Sequence, residues 1–162
     1  MEGLLPKNYG KDAIEIPGAR PLLAQLIAHD APWAIVTSGT LPLVGGWLDV
    51  LDIPRPAVLV TAESVENGKP DPSCYVMGRE RLGLQVREEG GEEKTLLVLE
   101  DSPAGIKAGK AAGCRVLALV TSHSLEQVRE AGPDWVVRDL RDVRVVEMRA
   151  GVVTIEIVNV LA

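Results

Sequence analysis

Five short apolar runs recur along this chain of 162 residues: Trp33–Thr37, Ala57–Thr61, Thr95–Glu100, Arg115–Val120 and Trp135–Arg138. Each is continuously apolar rather than alternating, the pattern of a strand covered on both faces. Between them the periodicity changes. Leu22, Leu23, Leu26 and Ile27 share one face of a helix expected over about 18–29. Further helices are expected over about 41–51, with Thr40 as its cap, and over 70–82, 103–113 and 124–131. Helix and strand in strict alternation from 18 to 138 specify a parallel sheet with helices on both sides.

The ends read differently. Residues 1–17, interrupted by Pro6, Gly10 and Pro17, read as a lead-in loop, and the charged stretch 85–94 as a mobile surface loop. Val143–Met148 and Val152–Val160 alternate around Ala150-Gly151, which predicts a β-hairpin. The expectation is one α/β domain over 1–162, in three Rossmann-like layers with a mostly parallel sheet and a C-terminal hairpin.

Aromatic residues make up only 3% and Phe is absent, so the core has to come from Val, Leu, Ile and Ala. A net charge of −6 argues against nucleic acid or an acidic membrane as partner. No apolar run is long enough to cross a bilayer and no basic-then-apolar leader is visible, so a cytoplasmic location is expected. Cys74 and Cys114 are too few for a disulfide scaffold.

The chemistry gathers where strands end. Glu100 and Asp101 close one apolar run and precede Ser102-Pro103-Ala104-Gly105. Open α/β folds place ligands at that edge of the sheet. Adjacent carboxylates there suit Mg²⁺, which takes a few hard oxygen ligands and completes its shell with water and phosphate. Thr37-Ser38-Gly39 ends another run and opens a helix, a place where hydroxyls and N–H groups can either cap the helix or bind an anion. Lys69 sits in a turn between Gly68 and Pro70, either solvated or pointing its charge into a site. His123 follows a strand on the same edge as Asp101 and is the imidazole placed for proton transfer, whereas His29 reads as a surface residue.

Strand-Thr-Ser-Gly, then Gly-Lys-Pro-Asp-Pro, then strand-Glu-Asp-Ser-Pro-Ala-Gly, in this order, resembles the haloacid dehalogenase (HAD) superfamily of Mg²⁺-dependent phosphohydrolases. The wider text around 16–19, 36–40, 66–84 and 100–114 is similar to the fungal glycerol-3-phosphate and 2-deoxyglucose-6-phosphate phosphatases. The resemblance implies that Thr37, Ser38 and Gly39 contact the phosphoryl group. It implies that Lys69 neutralises charge, that Glu100 and Asp101 hold Mg²⁺, and that the ligand is a small anionic molecule.

The same resemblance exposes a gap. The family's first motif, Asp-x-Asp-x-Thr, supplies the attacking carboxylate and the acid/base, and this sequence contains no such motif. Residue 1 corresponds to a point beyond the family's first strand and its small helical cap, so a capless core is expected. Asp49 and Asp52 have the wrong spacing, and Asp12 and Asp71 are substitutes only by position. The family's first strand lies centrally in its sheet. Without it, the strands at 33–37 and 95–100 lose the neighbour between them, at about 1–3 kcal/mol per buried group left unsatisfied. The two strands could close on each other, 152–160 could enter the gap, or another chain could supply a strand. Oligomerisation is the expectation. Two functional readings follow: a sugar or polyol phosphatase needing a nucleophile from elsewhere, or a repurposed HAD-like protein. The repurposed form would catalyse a lyase or isomerase step, or bind ligand as a pseudo-phosphatase. The isolated chain is expected to be weak or inactive as a phosphatase, with weak Mg²⁺ affinity.

Overall fold

In the computed structural model, which describes residues 2–84 and 95–162, the apolar runs become short parallel strands. In chain order the elements are α1 (Leu5–Tyr9), α2 (Ala19–Ala28), β1 (Ala34–Val36), α3 (Leu41–Val50), β2 (Val58–Val60) and α4 (Ser73–Arg81). They continue with β3 (Leu97–Glu100), α5 (Pro103–Ala111), β4 (Arg115–Leu119), α6 (Leu125–Glu130), β5 (Trp135–Val137), β6 (Val143–Arg149) and β7 (Val152–Ile157). The segment 85–94, expected as a charged loop, lies outside the described residues.

The sheet is divided where the sequence lacks a strand. β1 pairs with β2 in parallel, and β3, β4 and β5 form a separate parallel sheet in that order. Among the described residues no strand joins β1 to β3. The two therefore do not close on each other. Nor does the tail fill the gap, because β7 pairs antiparallel with β6. The hairpin turns at Ala150 and Gly151, both with positive φ, 50° and 74°. That is the twist a two-residue hairpin turn requires.

One apolar layer spans both sheets. Val58, Val60, Val98, Val116, Ala118 and Val136 pack with Cys74 and Tyr75 from α4, Ile106 and Ala108 from α5 and Val128 from α6. On the other face Leu117, Leu119 and Val137 meet Leu22 of α2, Val143 of β6 and Ile155 and Ile157 of β7. β4 thus sends alternate residues into two separate cores, which is why its sequence reads as a continuous apolar run.

The lead-in expected as a loop is helical over Glu2–Asp12. Glu2–Leu4 and Gly10–Asp12 form 3₁₀ turns on either side of α1, and this segment packs on α3. Pro6 lies in the first turn of α1, where a missing N–H costs nothing, and is buried. A Cβ on Gly46 of α3 would lie 2.8 Å from its ring, so the small residue makes the seat. Helix α4 begins at Ser73, later than its prolines suggest, because Asp71 accepts from the N–H of Ser73 at 2.9 Å and forms a turn instead. Thr40 makes no side-chain cap bond; the Glu63 carboxylate receives the N–H of Leu41 at 3.0 and 3.1 Å.

Candidate functional site

β1 and β3 end at a cavity of about 480 Å³. Thr37, Ser38, Lys69, Glu100, Asp101, Ser102 and Thr121 contribute its polar part, and Ile16, Val36, Leu99, Leu119 and Leu140 its apolar part. Short strands followed by turns deliver all the polar groups from one edge, as an α/β sheet does.

Lys69 and Glu100 form the centre. The side chains are 10% and 8% exposed and make an ion pair through Lys69 Nζ and Glu100 Oε1. Lys69 also donates to the carbonyl of Val36 at 3.3 Å, so one ammonium ties the end of β1 to the end of β3. Its Nζ lies 4.9 Å from the centre of the Tyr75 ring, and the Tyr75 hydroxyl donates to Glu100 Oε1 at 2.6 Å. Glu100 Oε2 accepts from Asp101 N at 3.1 Å, Ser102 N at 3.2 Å and Ser102 Oγ at 3.0 Å. Burial pushes the Glu100 carboxyl up, but Lys69, Tyr75 and the Ser102 N–H outweigh it and hold it below its ordinary value. Burial, and then the charge on Glu100, drives the Tyr75 phenol far above the usual range.

Five donors occupy Glu100, which leaves its oxygens committed to the protein rather than open to a metal. Asp101 is more open. It is half-buried, and its Oδ2 accepts from Thr121 Oγ1 at 3.1 Å. Hard oxygen, partial exposure and a place in the cavity lining suit Asp101 to Mg²⁺, whereas the Glu100 carboxylate is paired with Lys69. No cluster of three or more metal-ligating side chains exists among the described residues, so any Mg²⁺ here would depend on water and phosphate for most of its shell.

The remaining expected residues divide. Thr37 and Ser38 line the cavity. Gly39 does not, and its N–H is spent on Thr37 Oγ1 at 3.0 Å. His123 is also outside the lining. Its Nδ1 lies 3.2 Å from the Asp101 carbonyl and 2.8 Å from Ser122 Oγ. Through these contacts the ring braces the loop after β4 against the loop after β3. Asp12, Asp71 and His29 do not line the cavity either. Sequence reasoning missed Tyr75, Ser102 and Thr121. Ser102 carried a legible signal, because a serine before a proline-led helix is a cap, and its Oγ accepts from Gly105 N at 3.0 Å. Tyr75 carried none.

The profile of haloacid dehalogenase-like hydrolases matches residues 9–113. Glycerol-1-phosphate phosphohydrolase 1 of Saccharomyces cerevisiae is 40% identical over 159 residues, covering 98% of this chain and 64% of that protein. Hexitol phosphatase A of Escherichia coli is 38% identical over 141 residues, covering 87% and 61%. The yeast 2-deoxyglucose-6-phosphate phosphatase 1 is 36% identical, covering 99% and 70%. The chain thus spans less than two thirds of the first two of these relatives. A hydrolase of Pseudomonas syringae shares the fold with a TM-score of 0.71 at 24% identity, covering 83% of this chain and 59% of that one. No described helix is long and apolar enough to cross a membrane. The parallel sheets agree with these matches, and the chain belongs to the haloacid dehalogenase-like hydrolase family.

Proposed function

We propose that this chain forms the phosphate- and Mg²⁺-binding part of a phosphatase acting on small sugar or polyol phosphates. The observation that carries the reading is the Lys69 ammonium, held between the ends of β1 and β3 and beside Thr37, Ser38 and Asp101. The names of the relatives support the substrate class. Phosphoryl transfer needs charge neutralisation and positioning above all. Lys69 supplies one positive charge, and Thr37 and Ser38 supply hydroxyls for phosphate oxygens. One cation and two carboxylates leave the pocket with an excess of negative charge. A phosphate would therefore enter only with a divalent cation, held by Asp101, which would neutralise the phosphoryl oxygens.

Among the described residues Glu100 and Asp101 are the carboxylates that line the cavity; the first is paired with Lys69 and the second is the one assigned to the cation. The attacking group belongs, in this reading, to a further strand that completes the sheet between β1 and β3. The commitment of both carboxylates also favours a second reading, in which the chain binds a phosphorylated ligand without hydrolysing it.

The test is Mg²⁺-dependent hydrolysis of small phosphomonoesters by the purified chain, together with binding of inorganic phosphate by calorimetry. Phosphate binding that needs Mg²⁺ and is lost in Asp101→Asn and Lys69→Met supports the site. Weak or absent hydrolysis is expected for the chain alone. Robust hydrolysis abolished by Asp101→Asn would instead mean that a nucleophile comes from this chain. Phosphate binding that persists in both variants would remove the reading.

A further inference from the structure

We propose that Tyr75 is a positioning residue of the phosphate site, holding the Lys69 ammonium in place without consuming the N–H that a ligand needs. The proposal rests on the phosphate reading of the cavity and assigns a new residue to it. Tyr75 lies in the first turn of α4, is 7% exposed, and does not line the cavity, so it acts only through its neighbours.

Donor counting carries the argument. An ammonium has three hydrogens. Lys69 gives one to Glu100 Oε1 and one to the Val36 carbonyl. A third anchor of the usual kind, another protein oxygen, would leave nothing for an incoming anion. The Tyr75 ring is an anchor of a different kind. Its face attracts the cation through the ring quadrupole at 4.9 Å and takes no hydrogen. The hydroxyl of the same side chain adds a second effect. By donating to Glu100 Oε1 at 2.6 Å, it shares the oxygen that pairs with Lys69 and weakens that oxygen's hold on the ammonium. Glu100 itself cannot swing toward the cavity. Asp101 N, Ser102 N and Ser102 Oγ hold its other oxygen, and a Cβ on Gly105 would lie only 2.0 Å from its Cδ. Tyr75 thus fixes the lysine and keeps one N–H for a phosphate oxygen.

The ring and the hydroxyl can be separated. Inorganic phosphate binding in saturating Mg²⁺ would be measured by calorimetry on the full chain, in wild type, Tyr75→Phe and Tyr75→Leu, with Mg²⁺ alone titrated as a parallel readout. Tyr75→Phe should weaken phosphate about fivefold. Tyr75→Leu, which also loses the ring, should weaken it more than twentyfold. Mg²⁺ affinity should stay unchanged in both, since the Tyr75 hydroxyl donates to Glu100 and the Asp101 carboxylate accepts from Thr121. In a Glu100→Gln background, Tyr75→Phe should have less than half its effect. Phosphate affinity unchanged in both variants, or Mg²⁺ and phosphate affinities falling together, would overturn the proposal and leave the phosphate reading standing. A wild-type chain that binds no phosphate would bring down both.

Discussion

Gly105 shows how tightly single residues specify this site. It lies in the first turn of α5, where a Cβ would collide with the Glu100 carboxyl at 2.0 to 2.2 Å. Alanine is the better helix former by about 1 kcal/mol. Overpacking a fixed carboxylate costs about 1–3 kcal/mol and forces it off its donors. The clash should win. Gly105→Ala is expected to lower stability by about 1–2 kcal/mol in urea unfolding and to weaken phosphate binding at least tenfold by calorimetry. Glu100 and Asp101 were legible in the sequence as a pair of strand-end acids, but their division of labour was not. Adjacent residues on an extended chain point to opposite sides, so one carboxylate is held at the N-terminus of α5 and the other meets Thr121, although both line the cavity. A spacing cannot show which is which. Tyr75 was invisible for a similar reason: its partner Glu100 is 25 positions away.

The elements themselves were mostly legible, since the parallel strands are short apolar runs and the hairpin strands alternate about a turn. Residues 1–17 were misread because Pro6 and Gly10 look like breakers, and only the seat at Gly46 makes Pro6 a packing residue. Asp134, before β5, joins elements by charge. It accepts from Lys110 of α5 and Arg115 of β4 at 2.8 Å each, and from the N–H of Val116 at 2.7 Å. Burial raises its pKa, but Lys110, Arg115 and the Val116 N–H outweigh it and bring it down to about 2. A folded-state value below the unfolded value stabilises at pH above about 4, and the gain disappears as pH falls toward 2. Asp134→Asn should cost about 1–2 kcal/mol at pH 7, with wild type and variant converging near pH 2 in chemical denaturation. The hairpin offers the opposite sign. Ala150 holds φ 50°, a left-handed conformation that asparagine tolerates better. Ala150→Asn should raise the melting temperature by about 2–4 °C in calorimetry, for a gain near 1 kcal/mol.

At the scale of the molecule, the sequence implied a missing neighbour between two strands, and the structure keeps the two apart. The inward edges of β1 and β3 have no strand partner among the described residues, and Leu99 beside them is 38% exposed. Unpaired edges over an apolar floor recruit other strands. The expected outcome is concentration-dependent association of the purified chain in light scattering. A folded monomer that persists from micromolar to millimolar concentration would refute it. What the sequence could not show is that α4, reaching across to β1 and β2 while sharing a core with β3 and β4, keeps the layers aligned without a joining strand.

That seam sets the order in which the molecule comes apart. Two sheets joined by side chains but by no ladder need not melt as one unit. The amides of β1 and β2 should exchange with deuterium through a partial opening, while those around Val116, Leu117 and Ala118, fully buried in β4, wait for global unfolding. Lys69 is a polar latch across the seam. A phosphate bound at its ammonium and at Thr37 would clamp both sides, so ligand should slow exchange in β1 and β2 far more than in β4.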